Sequence, residues 1–298
     1  MQTFVAIVVD GLIYASWLFV VASGLSLIYG VMKILNIAHG GFYALGAYVA
    51  ISAVGAWFAG GYPPYASYAL LLLSAAVVGI VFGFAIERGI LRWMYGRDEV
   101  LMLLVTYALF LIIEDGIKLA WGPVAQFAFE PYGLLGRMRI GGIAFAVYDL
   151  CLIGLAIVVG AVLWWGLNRT RTGKLLIAVI HDREISLAMG INVQRLFTVT
   201  FIIGAFLGAL GGAFTAPATS VVPSIGVQVI VLAFAVVVIG GLGSIAGAAI
   251  GAVVVGLSRA AAIHLFPEAE LFVIYAVMSL VLAFRPQGLF GRVAARRI

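Results

Sequence analysis

Few residues in this chain of 298 are of a type that does chemistry, and those few are scattered. His39, His181 and His264 lie far apart and have no cysteine or carboxylate cluster beside them, so the spacing offers no metal site. There is no His-Glu-x-x-His and no convincing Ser/His/Asp grouping, which argues against an intramembrane hydrolase. No Gly-x-x-x-x-Gly-Lys-Ser/Thr occurs, so any nucleotide must be bound by another chain. The single cysteine, Cys151, falls in an apolar stretch and is expected to be a buried small residue without a redox role.

What remains is polar chemistry in apolar surroundings. Asn36 and His39 precede the pair Gly40-Gly41, with Tyr43 one turn further on. Two readings stand. These side chains line a cavity where a helix begins, or Asn36 caps that helix while the glycines let neighbours approach. Asp10, Glu114, Asp115 and Asp149 fall near the ends of apolar stretches, either as structural groups at headgroup level or as the rim of a polar vestibule.

The stretch from Gly173 to Asn192 is too polar to span a membrane and too apolar for an ordinary loop. Asp182, Arg183 and Glu184 form a charged opening turn, in which acidic residues favour the helix dipole. Ile185, Ser186, Leu187, Ala188 and Met189 follow, and Gly190 is a natural stop. A short amphipathic helix over Asp182–Gly190, within a connecting segment of about 168–195, either docks into a partner's groove or lies on the surface as a linker.

The elements that must hold these groups are set by composition. Apolar residues make up 65% of the chain and charged ones 10%, and mean hydropathy is +1.21. A soluble domain has about 25% charged residues, so this chain cannot cover itself in water. Six stretches are long enough to cross about 30 Å of hydrocarbon: Phe4–Tyr29, Gly40–Ala59, Ala66–Ile86, Val100–Trp121, Ile143–Leu167 and Leu196–Ala218. The next apolar tract is broken at Gly240-Gly-Leu-Gly-Ser244, giving Val227–Ile239 and Ile245–Leu265, and Leu271–Phe284 follows. The expectation is an all-α, polytopic helical bundle with about 8–9 transmembrane segments. Met1–Tyr29 has no basic n-region and is expected to span rather than to be cleaved.

The net charge of +5 does not form one basic patch, so nucleic acid is not an expected partner. Thirteen of the 17 basic residues fall in alternate loops and the tail: Lys33; Arg88, Arg92 and Arg97; Arg169, Arg171, Lys174, Arg183 and Arg195; Arg285, Arg292, Arg296 and Arg297. By the positive-inside rule the N-terminus is outside and the C-terminus cytoplasmic. Gly204, Gly208 and Gly212, and again Gly243, Gly247 and Gly251, recur every fourth residue and predict close helix packing.

Several motifs carry a family resemblance. Glu184-Ile-Ser186 followed by Gly190 has the spacing of the Glu-Ala-Ala-x-x-x-Gly loop of ABC importer permeases. The stretch from Gly24-Leu-Ser-Leu-Ile-Tyr-Gly30 through Asn36-Ile-Ala-His39 to Tyr48 resembles the branched-chain amino acid permease family, in particular its LivH-like subunits. Ala188-Met-Gly-Ile191, Gly240–Ala248 and Phe284–Gly291 agree. The resemblance covers essentially the whole chain as one permease domain, 1–298.

It implies a non-catalytic translocation subunit of the bacterial inner membrane. The chain itself binds no cofactor; ATP and Mg belong to partners. Those partners are a second, LivM-like permease, two ATPase subunits and an external substrate-binding protein, all within membrane lipid. The coupling loop would comprise Asp182 and Glu184 to Gly190. Branched-chain or other hydrophobic amino acids are the implied cargo, with urea, short amides or aromatic acids as alternatives. An ion-coupled secondary transporter is the competing class, and it requires midplane carboxylates or internal repeats.

Overall fold

The computed structural model describes residues 1–290. Arg292, Arg296 and Arg297, and Gly291 of the last motif, lie outside the described residues. In chain order the helices are α1 (Gln2–Met32), α2 (His39–Ala59), α3 (Ser67–Gly89), α4 (Glu99–Trp121) and the single turn α5 (Glu130–Gly133). A two-stranded antiparallel hairpin follows, β1 (Arg137–Ile140) and β2 (Ile143–Ala146). Then come α6 (Val147–Arg169), α7 (Arg171–His181), α8 (Arg183–Ala188), α9 (Val193–Thr215), α10 (Ile225–Gly240), α11 (Ile245–Leu265) and α12 (Glu270–Phe284).

Seven of these, α1, α2, α3, α4, α6, α9 and α11, are long and apolar enough to cross a membrane, while α10 and α12 are shorter apolar helices. The architecture is an all-α polytopic membrane bundle with one small hairpin. Residues 143–146, expected at the start of a span, are instead β2: the Gly141-Gly142 pair, both at positive φ, reverses the chain there. Cys151 is exposed on α6, not buried; α6 packs mainly on α1 and leaves its other faces uncovered.

Helix α9 is the hub, packed on α1, α2 and α3 and more deeply buried than the other long helices. Its small residues make this possible. At Gly212 a Cβ would collide with the carbonyl of Tyr43, and at Gly208 it would lie 3.1 Å from the His39 ring. Gly204 meets Ile28 and Gly24 of α1. The α10–α11 contact is equally tight, with Gly247 seated against Gly240 and Gly251 against the Val236 carbonyl. Gly243, at φ +81, faces Gly30 of α1 and supplies a left-handed turn that other residues resist.

Two helices begin inside the bundle. Helix α1 ends at Lys33, the one non-glycine residue at positive φ among those described. The chain then turns back, so that α2 starts beside Val21 and Gly24 of α1. Val21 is 11 residues before Met32, about 16 Å along a helix at 1.5 Å per residue. The start of α10 meets the start of α2 there, with Gly226 against Gly40. This interior start accounts for the shortness of α10. Its far end is closed by the chain after α12: the N–H groups of Leu289 and Phe290 donate to the carbonyls of Ile239 and Gly240 at 2.8 and 2.9 Å.

Candidate functional site

At the end of the bundle that carries the N-terminus, α1, α6, α10 and α11 surround a cavity of about 570 Å³. Polar groups are concentrated on its walls. Asp10 of α1 lies 2.8 Å from His264 Nε2 of α11. The Tyr132 hydroxyl donates to Asp149 Oδ2 at 2.6 Å. Burial, and then the bonded Asp149 carboxylate, push the Tyr132 phenol up to about 12, so it remains a donor at neutral pH. Arg259 of α11 stacks 4.1 Å from the Tyr14 ring centroid and forms an ion pair with Glu270. A second cavity, bordered by β2, shares Asp10, Tyr132, Asp149 and His264.

Tyr43 contributes to the first cavity from α2. Its hydroxyl lies 2.5 Å from Thr215 Oγ1, which is itself 2.8 Å from the Gly211 carbonyl. A threonine has one hydroxyl proton; with that proton on Gly211, Tyr43 is the donor to Thr215.

His39 and Asn36 do not line this cavity. Both are fully buried at the interior start of α2. His39 Nε2 is 2.8 Å from the Val21 carbonyl, and since a carbonyl only accepts, Nε2 carries the proton. Asn36 does not cap α2: Ala38 occupies the cap and no side chain bonds there. The backbone on either side of Asn36 is held instead by Thr106, which donates to the Leu35 carbonyl and accepts from Ile37 N–H. The Asn36 amide and His39 Nδ1 have no hydrogen-bond partner in the described structure.

Glu114 and Asp115 both pair with Lys118 along α4, at 3.0 and 3.2 Å, away from the cavity. Of the four flagged carboxylates, Asp10 and Asp149 line the cavity.

The opposite end is basic, and it carries α7 and α8. Thr170 caps α7 by accepting from Gly173 N–H at 3.0 Å, and α7 buries Leu176 and Val179. Asp182 caps α8 by accepting from Ile185 N–H at 3.0 Å, and Ser186 tucks under it by donating to the Asp182 carbonyl at 2.7 Å. This orientation turns Ile185, Leu187 and Met189 outward, at 60, 50 and 77% exposure. Glu184 is exposed on the same short helix, which ends past Ala188 at Gly190, φ +81.

Helix α8 is also tied to the bundle. The Arg183 guanidinium lies 5.4 Å from the Phe197 ring of α9, and Tyr95, edge-on at 5.1 Å, shares that ring. Tyr95 donates to the buried Glu87 carboxylate at 2.7 Å. Burial first, then that bond, raises the Tyr95 phenol well above its ordinary value.

Sequence reasoning missed Arg259, Glu270 and the partnership of His264. The signal was present for one of them: Arg259 is a basic residue inside an apolar helix, and intramembrane charge is a functional candidate whatever its sign. Helix α7 was also missed, because its apolar positions merge with those of the α8 segment.

Comparison with known proteins follows the same outline. The family described as "Branched-chain amino acid transport system / permease component" matches residues 7–282. The high-affinity branched-chain amino acid transport system permease protein BraD of Pseudomonas aeruginosa is 26% identical, over 97% of this chain and 96% of that protein. LivH of Escherichia coli K12 is 25% identical with the same coverage. A probable LivH of Methanocaldococcus jannaschii is 29% identical over 83% of this chain and 78% of its own length. With a match that runs through all seven long helices, the chain belongs to the permease-component family of branched-chain amino acid transport systems, and is a multi-pass, non-catalytic subunit of the inner membrane.

Proposed function

We propose that this chain is the translocation subunit of an ATP-driven importer of branched-chain and related hydrophobic amino acids. The single domain, 1–298, works beside a related permease, two ATPases that hold ATP and Mg, and an external binding protein that delivers the cargo. The N-terminus and the cavity end face outward, and the Lys- and Arg-rich loops and the C-terminus face the cytoplasm. Among the described residues, nine apolar helices cross or enter the bilayer, with α10 spanning only from the interior.

The observation that carries this reading is α8. It sits at the basic end, outside the long apolar helices, with three large apolar side chains uncovered on a six-residue helix. A helix so placed suits a groove on a cytoplasmic ATPase, and its contacts with Phe197 and Tyr95 lead from there into α9. Asp182, Glu184 and Gly190 frame the docking segment. Tyr43 stands on the cavity wall, and His39 and Asn36 lie deeper, in line for a path that opens toward the basic end. The glycines at 204, 208, 212, 243, 247 and 251 form the packing faces along which such opening proceeds.

The test is uptake by the purified complex in vesicles with its cognate binding protein. Leucine, isoleucine or valine should enter only with ATP. Preference for urea, short amides or aromatic acids would change the cargo, and uptake driven by an ion gradient without ATP would replace the class.

A further inference from the structure

The cavity at the N-terminal end carries opposite charges on different walls, Asp149 on α6 and Arg259 on α11. We infer that it reads both charged ends of a free amino acid, with Asp149 accepting from the ammonium and Arg259 donating to the carboxylate. This rests on the importer reading and specifies how the permease itself recognises cargo.

The partners of each group leave the needed valences open. Tyr132 engages Oδ2 of Asp149, a residue of the cavity wall, which leaves Oδ1 as an acceptor. Arg259 has five N–H donors. The ion pair with Glu270 and the stack on Tyr14 fix the plane of the guanidinium and leave the other donors unfilled. Asp10 lines the same cavity with one oxygen held by His264, and adds a second acceptor for the ammonium. Ile13, Trp17, Leu152 and Leu232 line the same cavity, an apolar surface for an aliphatic side chain. The volume lies in the range of about 300–1,000 Å³ typical of small-ligand sites.

A simple amine would satisfy Asp149 but strip water from the open Arg259 donors and give nothing back. A fatty acid would do the same to Asp149. Desolvating a polar group without a partner is unfavourable, so the zwitterion is the fitting ligand.

The experiment uses the assembled permease–ATPase complex in nanodiscs without binding protein, carrying Cys151→Ala and Ser220→Cys. Ser220 is exposed and lines the cavity. Leucine should slow modification of the new thiol by a small methanethiosulfonate reagent. Isoamylamine and 4-methylpentanoate, each lacking one charged end, should need about tenfold higher concentration, the loss of one charge-assisted hydrogen bond. Asp149→Asn and Arg259→Gln should each weaken protection by leucine by about tenfold, and Arg259→Lys should restore part of it. Co-purified ATPase confirms assembly of each variant.

Absence of leucine protection, equal protection by all three compounds, or unchanged protection in the variants overturns the inference. Uptake of leucine by the complete complex is measured in parallel. If uptake proceeds without protection, the inference falls and the importer reading stands; if the complete complex takes up no branched-chain amino acid, the importer reading falls.

Discussion

His39 Nε2 donates to the carbonyl oxygen of Val21, 18 residues earlier, across 2.8 Å. The bond joins the first residue of α2 to the middle of α1, at a place where Gly24 and Gly208 have no side chains. A Cβ on Gly24 would lie 2.8 Å from the His39 ring, and one on Gly208 would lie 3.1 Å from it. The imidazole occupies a slot cut by two glycines from two other helices. Three elements are registered by one side chain.

The glycine contacts should therefore rank by the room behind them. Gly208→Ala asks the His39 ring to move a few tenths of an ångström, whereas Gly212→Ala and Gly247→Ala run into backbone carbonyls. Overpacking a tight site costs about 1–3 kcal/mol. Thermal denaturation of the purified complex should place Gly208→Ala nearest wild type and the other two clearly lower. Leu at position 208 or 247 should abolish assembly. Equal melting for all three alanine variants would mean that these faces do not meet as described.

Asn36 separates a structural role from one in transport. Its amide is buried without a partner, and an unsatisfied buried polar group costs about 1–3 kcal/mol. Asn36→Leu should thus leave the complex as stable as wild type or more so. Uptake per assembled complex should nevertheless fall at least tenfold, because the path loses its polar group. A stable variant with full uptake would confine Asn36 to the fold.

At α8, the proposed coupling helix, Leu187→Asp should lower co-purification of the ATPases, since the added charge must be desolvated against them. Gly190 is a different case. Nothing lies within 4 Å of the space a Cβ would occupy, so the constraint is its φ of +81 alone. An ordinary residue in that conformation costs about 1–2 kcal/mol, and Asn tolerates it better. Gly190→Asn should retain more uptake than Gly190→Val, with Gly190→Asp impaired further by its charge. Normal ATPase association and uptake in Leu187→Asp and Gly190→Asp together would reduce the segment to a surface linker.

Topology is tested by accessibility in a Cys151→Ala background. Ser67 is an unsuitable probe, being buried with its hydroxyl on the Pro64 carbonyl. Tyr65 and Trp93 are exposed at opposite ends of α3. Cysteine at position 65 should react with an impermeant reagent in intact cells, and cysteine at position 93 or 189 only after permeabilisation. The reverse pattern would invert the orientation.

The helices were legible because span length and glycine breaks are local. Gly240–Ser244 divides α10 from α11 at the expected place, and Ile245–Leu265 agrees to the residue. The short helix α8 was legible for the same reason, since its charged opening turn, apolar positions and stop are contiguous from Asp182 to Gly190. The cavity was not. Asp10 and His264 are 254 residues apart, and Tyr43 and Thr215 are 172 apart. Pairings of that kind depend on which helices become neighbours, and single-sequence periodicity does not encode it. Of the two readings of Asn36, the cap fails although its residue type fits that role: the helix begins three residues later, at a depth that hydropathy does not report.

That interior start has a consequence for synthesis. The slot that receives His39 is completed by Gly208, and α9 is translated long after α2. Until α9 emerges, the polar elbow from Lys33 to His39 has no wall on that side, and the ribosome must extend the chain through eight further elements, α3 to α8 with the hairpin, before one arrives. A nascent chain at that stage has the His39 ring, bonded to Val21 of α1, uncovered on the side that Gly208 later closes. In pulse-chase, a chain truncated after Leu167 should be degraded faster than the full-length protein, and replacing both Asn36 and His39 by Leu should slow its loss.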